Sequence, residues 1–255
     1  MPAEQSNSDI EQTHDQDLSS MAIEAVIFDF DGVILETETP NYETWRDEFA
    51  DHGVELDRSL WAGFVGGRPG IFDPYGHLEK LTGHTVDRDI VGSRRRKRYL
   101  SQVASSSILP GVVDYMTGAK ALGLKLGVAS SSSRQWVEEH LIKRDLMRYV
   151  GVVRCRDDVI NVKPDPELFL SAAAALGVAP AQCVVIEDSA NGVTAAKRAG
   201  MYCVVVPNST TIDMVVDHAD LRLRSLGDVT LSALIERLGI EVTGSYGEGL
   251  QLHLP

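Results

Sequence analysis

Cysteine, basic charge and long apolar segments are all scarce in this chain of 255 residues. The three cysteines, Cys155, Cys183 and Cys203, lie far apart in sequence, so they indicate neither a C-x-x-C metal pair nor a disulfide framework. We therefore predict a reducing, cytoplasmic location. No run approaches the ~20 apolar residues that cross a bilayer, and residues 1–20 show neither a basic start nor an apolar segment. We expect no membrane partner and no targeting signal.

The shortage of basic charge narrows the possible partners. The 24 basic residues are outnumbered by 37 acidic ones, and the formal net charge of -13 opposes non-specific attraction to nucleic acid or anionic lipid. We predict no nucleic-acid partner and a monomer or weak dimer. A hydrophobic content of 44% is enough for one large domain or one domain with an insert. Residues 1–20 are polar and are predicted to be a disordered extension, and residues 241–255 a C-terminal tail.

Apolar segments alternate with amphipathic ones along most of the chain. Segments 23–28, 124–129, 183–187 and 202–206 are short, rich in β-branched residues and almost continuously apolar, as strands covered on both faces are. The amphipathic stretches that follow the later strands end at glycines, as helices often do. The pattern predicts an α/β fold, a parallel Rossmann-like sheet with helices on both faces, built from residues 21–38 and 106–240.

Residues 39–105 break this alternation. They contain no convincing strand but several helix signatures: the Thr39-Pro40 start, "SLWAGFVGG", "PYGHLEKLTG" and "DRDIVGSRRRKRYLSQV". We predict an inserted all-helical cap domain. It falls between the first two predicted strands, so it would lie above the carboxyl ends of the sheet, where open α/β sheets bind ligands. The run "RRRKR" at 94–98 is interpreted as a solvated helix face.

Polar residues appear together where the predicted strands end or just before a helix. Each has an ordinary structural explanation, such as a turn, a helix cap or a solvated loop charge. Together they supply a hydroxyl, an ammonium and paired acids, the groups needed to hold a phosphoryl group and Mg²⁺. The six residues are Asp29, Asp31, Ser130, Lys163, Glu187 and Asp188.

Four segments carry a resemblance to a known family. "DFDGV", "VASSS", "VKPDPELF" and "VIEDSANGVTAAKRAGM" resemble, in order and spacing, the four motifs of the haloacid dehalogenase-like phosphohydrolases. The resemblance extends from residue 22 to about residue 238. It is to the helical-cap branch of the family, which contains small-metabolite phosphatases and β-phosphoglucomutase.

The resemblance implies a role for each motif residue. Asp29 would be the nucleophile that forms an aspartyl-phosphate, and Asp31 the general acid and base. Ser130 would hydrogen-bond the transferring phosphoryl group, and Lys163 would neutralise charge on it and on Asp29. The resemblance also implies a Mg²⁺ cofactor. Its ligands would be the Asp29 carboxylate, the Asp31 main-chain carbonyl and Asp188, with Glu187 acting directly or through water.

Three further residues are candidates for substrate binding. Arg68 lies in "FVGGRPG" of the cap, where two glycines allow a close turn, and could reach an anionic or hydroxyl-rich group remote from the reacting phosphate. Ser132 and Arg134 follow the second motif and could bind the substrate together with Arg68, from the core side. The alternative for Arg68 is an exposed turn residue between two cap helices.

The favoured function is therefore a Mg²⁺-dependent phosphatase acting on a small phosphorylated metabolite, with a sugar phosphate as the leading candidate. A phosphomutase is the main alternative, weakened because Asn41 occupies the position of a histidine in β-phosphoglucomutase. A receiver-type phosphoacceptor domain is disfavoured for two reasons. Its phosphorylated Asp follows a central strand rather than the first one, and such a domain has no helical insert. A non-catalytic binding protein is disfavoured, because every catalytic position is filled.

Overall fold

The computed structural model describes residues 22–68 and 70–242, so the predicted extension at 1–20 and residues 243–255 of the predicted tail lie outside the described residues. Strands and helices alternate outside one purely helical interval. In chain order the elements are β1 Ala22–Ile23, β2 Ala25–Phe28, α1 Glu38–Asp51, α2 Arg58–Ala62, α3 Pro74–Thr82, α4 Arg88–Ser105, α5 Val112–Ala121, β3 Lys125–Ser130, α6 Arg134–Lys143, β4 Val152–Cys155, α7 Glu167–Leu176, β5 Cys183–Glu187, α8 Ala190–Arg198, β6 Tyr202–Val205, β7 Leu221–Arg222, α9 Leu231–Arg237 and β8 Glu241–Val242.

The main sheet has six strands within the described ranges, all parallel, in the order β4-β3-β2-β5-β6-β7. Strand β2 lies between its two neighbours with Val26 opposite Leu126 on one side and Val184 on the other. The predicted α/β fold with a parallel sheet is confirmed. Successive strands run outward from β2 in one direction and from β5 in the other, so the order reverses between these two strands. Such a reversal leaves a crevice at the carboxyl ends.

Helices cover both faces of this sheet. Alternate residues of β2 point to opposite sides, so Val26 and Phe28 pack with α5, α6 and α9, whereas Ala25 and Ile27 pack with α7 and α8. All four side chains are fully buried. These strands are continuously apolar because both of their faces are buried, as the sequence pattern predicted.

The interval between β2 and β3 is helical, and its described residues contain α1, α2, α3 and α4. These helices surround an apolar cluster of their own that includes Trp45, Phe49, Trp61 and Leu78. The first helix begins at Glu38, one residue before the predicted start, and the last ends at Ser105. We call these four helices and their connecting loops the cap.

The first strand and the predicted tail differ locally from expectation. The predicted first strand, 23–28, is split at Glu24, and its first part, β1, pairs with β8, which occupies the start of the predicted tail.

The run at 94–98 is largely the solvated helix face that was predicted, because Arg94, Arg96, Lys97 and Arg98 are exposed. Arg94 also binds the buried carboxylate of Glu48, and Arg95 is partly buried. Arg95 lies over the ring of Trp45 and donates to Asn41 Oδ1 at 3.0 Å. Cation–π contact and a buried partner favour this arrangement over solvation.

Within residues 22–68 and 70–242, none of the helices combines the length and apolarity that a bilayer span requires.

Candidate active site

The carboxyl edge of the sheet at the reversal of strand order gathers the predicted motif residues. Asp29 directly follows β2, Ser130 ends β3, Glu187 ends β5, and Asp188 comes next. Lys163 reaches the same point from the loop before α7, and its side chain is fully buried. Residues far apart in sequence thus meet because parallel strands present their ends at one edge.

Lys163 links two buried carboxylates. Its Nζ contacts Asp29 Oδ1 and lies 2.7 Å from Glu187 Oε1. Burial alone would lower the pKa of Lys163, but the charges of Asp29 and Glu187 outweigh burial and raise it, so the ammonium stays protonated. Burial, with smaller contributions from the like charges of Glu187 and Asp31, raises the pKa of Asp29 against the opposing charge of Lys163. The site holds more negative charge than one lysine neutralises.

Glu187 uses both of its oxygens within the protein. Oε1 binds Lys163, while Oε2 accepts the Asp188 main-chain N–H at 2.9 Å and both the N–H and the hydroxyl of Ser189 at 3.1 Å. Gly192 lies against this carboxylate so closely that a Cβ there would be 1.8 Å from it. Glu187 therefore orients Lys163 and the turn into α8, and its oxygens are less available to an ion than the other acids' are.

A group of acids at this edge fits a divalent cation. Carboxylate oxygens of Asp29, Glu187 and Asp188 all lie within 4.8 Å of one another, and all three side chains are buried. Asp188 Oδ1 is buried and has no hydrogen-bond partner within residues 22–68 and 70–242. Burial, with Glu187 and Asp29 beside it, raises the pKa of Asp188 well above its ordinary value. A hard cation would satisfy the free oxygen and offset the excess charge, as Mg²⁺ does with oxygen ligands.

Asp31 is held by four side-chain donors. Its Oδ1 accepts Thr37 Oγ1 at 2.8 Å and Trp136 Nε1 at 3.0 Å, while its Oδ2 accepts Ser132 Oγ at 2.6 Å and Ser130 Oγ at 3.3 Å. The two serines predicted to contact substrate thus contact Asp31 in this structure. Hydrogen bonds to a carboxylate from several fixed donors restrict its position as well as stabilising its charge.

Trp136 was not foreseen from the sequence. It lies in the first turn of α6, where an aromatic residue is more often explained by core packing than by a polar contact. Its ring also stacks on Tyr99 of cap helix α4, with centroids 5.8 Å apart and planes 18° apart. The "SSSSRQW" stretch offers no signal that would have separated this role from ordinary packing.

A cavity of about 240 Å³ lies between the cap and the sheet edge, bounded by Asp29 and Asp31 on the core side. Its cap side has an aromatic wall, in which the rings of Phe64 and Phe72 stack 4.8 Å apart. Glu38 also faces the cavity, and burial, together with the charges of Asp31 and Asp29, raises its pKa well above the ordinary value. The cavity therefore combines an apolar wall with a carboxyl group whose pKa is raised.

The three predicted substrate-binding residues are not all brought to this cavity. Ser132 and Arg68 line it, and Arg68 is exposed at its rim. Arg134 lies elsewhere, because its guanidinium binds Glu138 at 2.6 Å and Asp158 at 2.6 Å. The structure therefore does not bring Arg134 to this cavity, because the carboxylates of Glu138 and Asp158 hold its side chain.

The loop after α2 carries the cap's contacts with the second and fourth motifs. Ser131 Oγ donates to Gly66 O at 2.9 Å, and Asn191 Nδ2 donates to Val65 O at 2.9 Å. Gly66 has a φ of +71°, and a Cβ there would lie 2.1 Å from Ser189 Oγ. Only glycine fits both the backbone conformation and the contact, so this turn closes directly over the acidic edge.

Comparisons with known proteins agree with this arrangement. A family model described as haloacid dehalogenase-like hydrolase matches residues 23–200. The protein YhcW of Bacillus subtilis is 44% identical over 216 residues, which cover 85% of this chain and 98% of that protein. The phosphorylated carbohydrates phosphatase of Thermotoga maritima is 33% identical over 184 residues, 70% of this chain and 82% of its own length.

The fold is also that of a solved relative. The crystal structure of β-phosphoglucomutase from Clostridium difficile superposes with a TM-score of 0.68 at 26% identity and covers 85% of this chain and 97% of that one. The resemblance identified from the four motifs is confirmed by the family match, and the Thermotoga maritima relative is named a phosphatase. The chain belongs to the haloacid dehalogenase-like hydrolase family and is a phosphoric monoester hydrolase.

Proposed function

We propose that the protein is a Mg²⁺-dependent phosphatase that hydrolyses a small phosphorylated metabolite, with a sugar phosphate as the favoured substrate, through an aspartyl-phosphate. The observation that carries this proposal is the placement of Asp29. Its buried carboxylate contacts Lys163 and borders the cavity beside Asp31. A carboxylate with an adjacent cation and a second carboxyl group nearby is what two-step phosphoryl transfer requires.

In the first step an Asp29 oxygen forms a bond to phosphorus as the bond from phosphorus to the substrate alcohol oxygen breaks. Asp31, in its protonated form, gives its proton to that leaving oxygen. In the second step the Asp31 carboxylate takes a proton from water, whose oxygen attacks phosphorus and releases inorganic phosphate and Asp29. Lys163 keeps a positive charge beside Asp29 throughout, which offsets negative charge on the phosphoryl oxygens.

The hydroxyls of Ser130 and Ser132 can serve two acceptors in turn. They donate to Asp31 Oδ2 in this structure, and a phosphoryl group in the cavity would offer them oxygens of higher charge. Once the serine hydroxyls donate to the phosphoryl group, Asp31 would keep its hydrogen bonds from Thr37 and Trp136 at Oδ1. Its Oδ2 would then be free on the side that faces the substrate.

The residues that would hold Mg²⁺ are Asp29 and Asp188, whose carboxylate oxygens belong to one cluster. The resemblance to the family adds the main-chain carbonyl of Asp31 as a third ligand. When bound, the ion supplies positive charge that lets the anionic carboxylate and the anionic phosphate approach each other. Glu187, whose oxygens are occupied, would support the site through Lys163 and through water.

The cavity supports a small, hydroxylated substrate. Its volume of about 240 Å³ is below the ~300–1,000 Å³ of pockets that take drug-sized ligands. The Phe64 and Phe72 rings offer a surface for the C–H face of a sugar, and Glu38 and Asn41 offer hydrogen bonds to hydroxyls. The Thermotoga maritima relative is named for phosphorylated carbohydrates, which is the same class.

We also propose that residues 39–105 act as a mobile cap over a core formed by residues 21–38 and 106–240. The cavity lies between the two, so substrate entry requires the contacts of Ser131 and Asn191 with the cap loop to open.

We propose a reducing, cytoplasmic setting, to which the three buried, free cysteines are suited. We expect the protein to be a monomer or weak dimer there.

A phosphate-release screen tests the proposal. Purified protein with Mg²⁺ is assayed against phosphorylated sugars, nucleotides and phosphoglycolate, and we expect turnover concentrated among the sugar phosphates. Excess chelator should abolish turnover, and added Mg²⁺ should restore it. Full activity in chelator would contradict the metal assignment, and preference for nucleotides would contradict the substrate class.

A phosphomutase remains the second candidate, favoured by the likeness to β-phosphoglucomutase. A mutase moves the phosphoryl group to a sugar hydroxyl, whereas a phosphatase moves it to water. Phosphorus NMR of the product distinguishes the two, since a mutase yields an isomeric sugar phosphate and little inorganic phosphate. Asn41, at the position of the mutase histidine, leads us to expect inorganic phosphate.

A further inference from the structure

Asn208 lies outside all four motifs yet contacts the candidate metal ligand directly. It follows β6, and its Nδ2 donates a hydrogen bond to Asp188 Oδ2 at 2.6 Å. The contact joins the loop after β6 to Asp188, the acid that follows the neighbouring strand β5. Its meaning depends on the proposed function, because it concerns how Asp188 would meet the cation.

The orientation of the Asn208 amide is fixed by its other contacts. Its Oδ1 accepts the main-chain N–H of Thr210 at 2.9 Å and that of Thr211 at 3.2 Å. Its own main-chain N–H donates to Thr211 Oγ1 at 3.1 Å. Main-chain N–H groups are donors only, so they require the carbonyl oxygen of the amide to face them. The NH₂ group must then face Asp188, and a flipped amide would set two acceptors against each other.

The second oxygen of Asp188 is left for another partner. Oδ2 is engaged by Asn208, whereas Oδ1 is buried and makes no hydrogen bond in the part of the chain that the structure describes. Gly32 closes the other side, since a Cβ there would lie 2.1 Å from Asp188 Oδ2 and 2.7 Å from Asn208 Nδ2. The carboxylate is therefore held at Oδ2, and Oδ1 is the oxygen that remains for a further partner.

We propose that Asn208 is a positioning residue for the metal: it fixes Asp188 so that Oδ1 is presented as a ligand before any ion arrives. The amide is neutral, so it restrains the carboxylate without adding a further negative charge to an edge that already holds three acids. Partners that orient a ligating carboxylate typically change metal affinity by about 10–100-fold when they are removed.

Calorimetric titration of Mg²⁺ into metal-free protein, without substrate, tests this proposal. The wild type should show one saturable site. Asn208→Ala should bind Mg²⁺ about 10–100-fold more weakly. Asn161→Ala, which removes an exposed asparagine, is the matched control and should bind as the wild type does. Circular dichroism of each variant verifies that the fold is retained.

A gentler variant keeps the test decisive if Asn208→Ala does not fold. Thr211→Val preserves side-chain volume but removes the hydroxyl that accepts the Asn208 N–H, and we expect a few-fold weaker Mg²⁺ binding. Wild-type affinity in whichever of these variants folds would overturn the role of Asn208. A wild-type protein that binds no Mg²⁺ would instead overturn the metal in the proposed function, so the two failures are distinguishable.

Discussion

The sheet edge and the cap cavity are neighbours, but they are built by different physical means. At the edge, each functional side chain is fixed by a strand end and by charged partners that are themselves buried, as Lys163 shows between Asp29 and Glu187. In the cap, the residues that face the cavity come from helices and a turn, and Arg68 is exposed. The edge is therefore suited to invariant chemistry, and the cap to contacts that can vary with substrate.

The largest effect should come from breaking the edge at its nucleophile. Asp29→Asn keeps the side-chain volume but removes the carboxylate, and we expect kcat to fall by on the order of 10⁴-fold on every substrate. Steady-state phosphate release measures the loss, and Asp217→Asn, which changes an exposed acid, is the control. Retention of activity within a few-fold, in protein free of contaminating phosphatase, would remove Asp29 from its proposed role.

The next largest effect should come from removing the positive charge at the edge, and it should appear in the free energy of unfolding. Lys163→Met removes the buried cation between two buried carboxylates, and such a loss typically costs about 3–5 kcal/mol. Urea unfolding followed by circular dichroism should show a lower midpoint. The same substitution at the exposed Lys97 should leave the midpoint nearly unchanged. Equal stability of the two variants would mean that the carboxylates at the edge are protonated in the folded protein.

Trp136 sharpens the comparison, because it belongs to the core and touches the cap. Trp136→Phe keeps an aromatic ring against Tyr99 but removes the N–H that binds Asp31. We expect about a tenfold lower kcat on alkyl phosphates, whose leaving oxygen needs a proton, and little change on p-nitrophenyl phosphate. Trp45→Phe, within the cap cluster, is the control. A loss of equal size on both substrates would indicate a general structural defect.

The smallest effect is expected at the rim of the cap. Arg68→Ala removes an exposed charge that can reach a remote group of the substrate, and water screening limits such a contact to about 1 kcal/mol, or about fivefold in kcat/KM. Small aryl phosphates lack the remote group and should be unaffected. Equal losses on both kinds of substrate would show that Arg68 acts on the phosphoryl group or on cap closure.

The same contrast explains what could be predicted from the sequence. Buried parallel strands are continuously apolar and turn polar at their carboxyl ends, so β2, β3, β5 and β6 were predictable from residue type alone. Strand β4 was not predicted, because Arg154 interrupts its apolar run. In the structure Arg154 is partly buried and donates to Ser171 Oγ of α7, a partner that the sequence does not indicate.

The rest of the site depends on contacts between distant segments, which have no local signature. Arg134 was expected in the cavity because it is two residues from Ser132, but it begins a helix whose first turn faces Asp158. Asn208 lies in "VPNSTT", a stretch that indicates only a turn. Its contact with Asp188 exists because β5 and β6 are adjacent in the sheet, a fact that tertiary structure supplies.

The stacking of Trp136 on Tyr99 also equips the protein with an optical reporter. Of its three tryptophans, Trp45 and Trp61 lie in the cap cluster, and only Trp136 joins the core to the cap. A double Trp45→Phe, Trp61→Phe variant would therefore emit from a single indole at the junction of the two parts. Because indole emission responds to the polarity around the ring, opening of the cap would expose this fluorophore to water and move its emission to longer wavelength, so substrate-driven closure can be followed in stopped flow without any attached label.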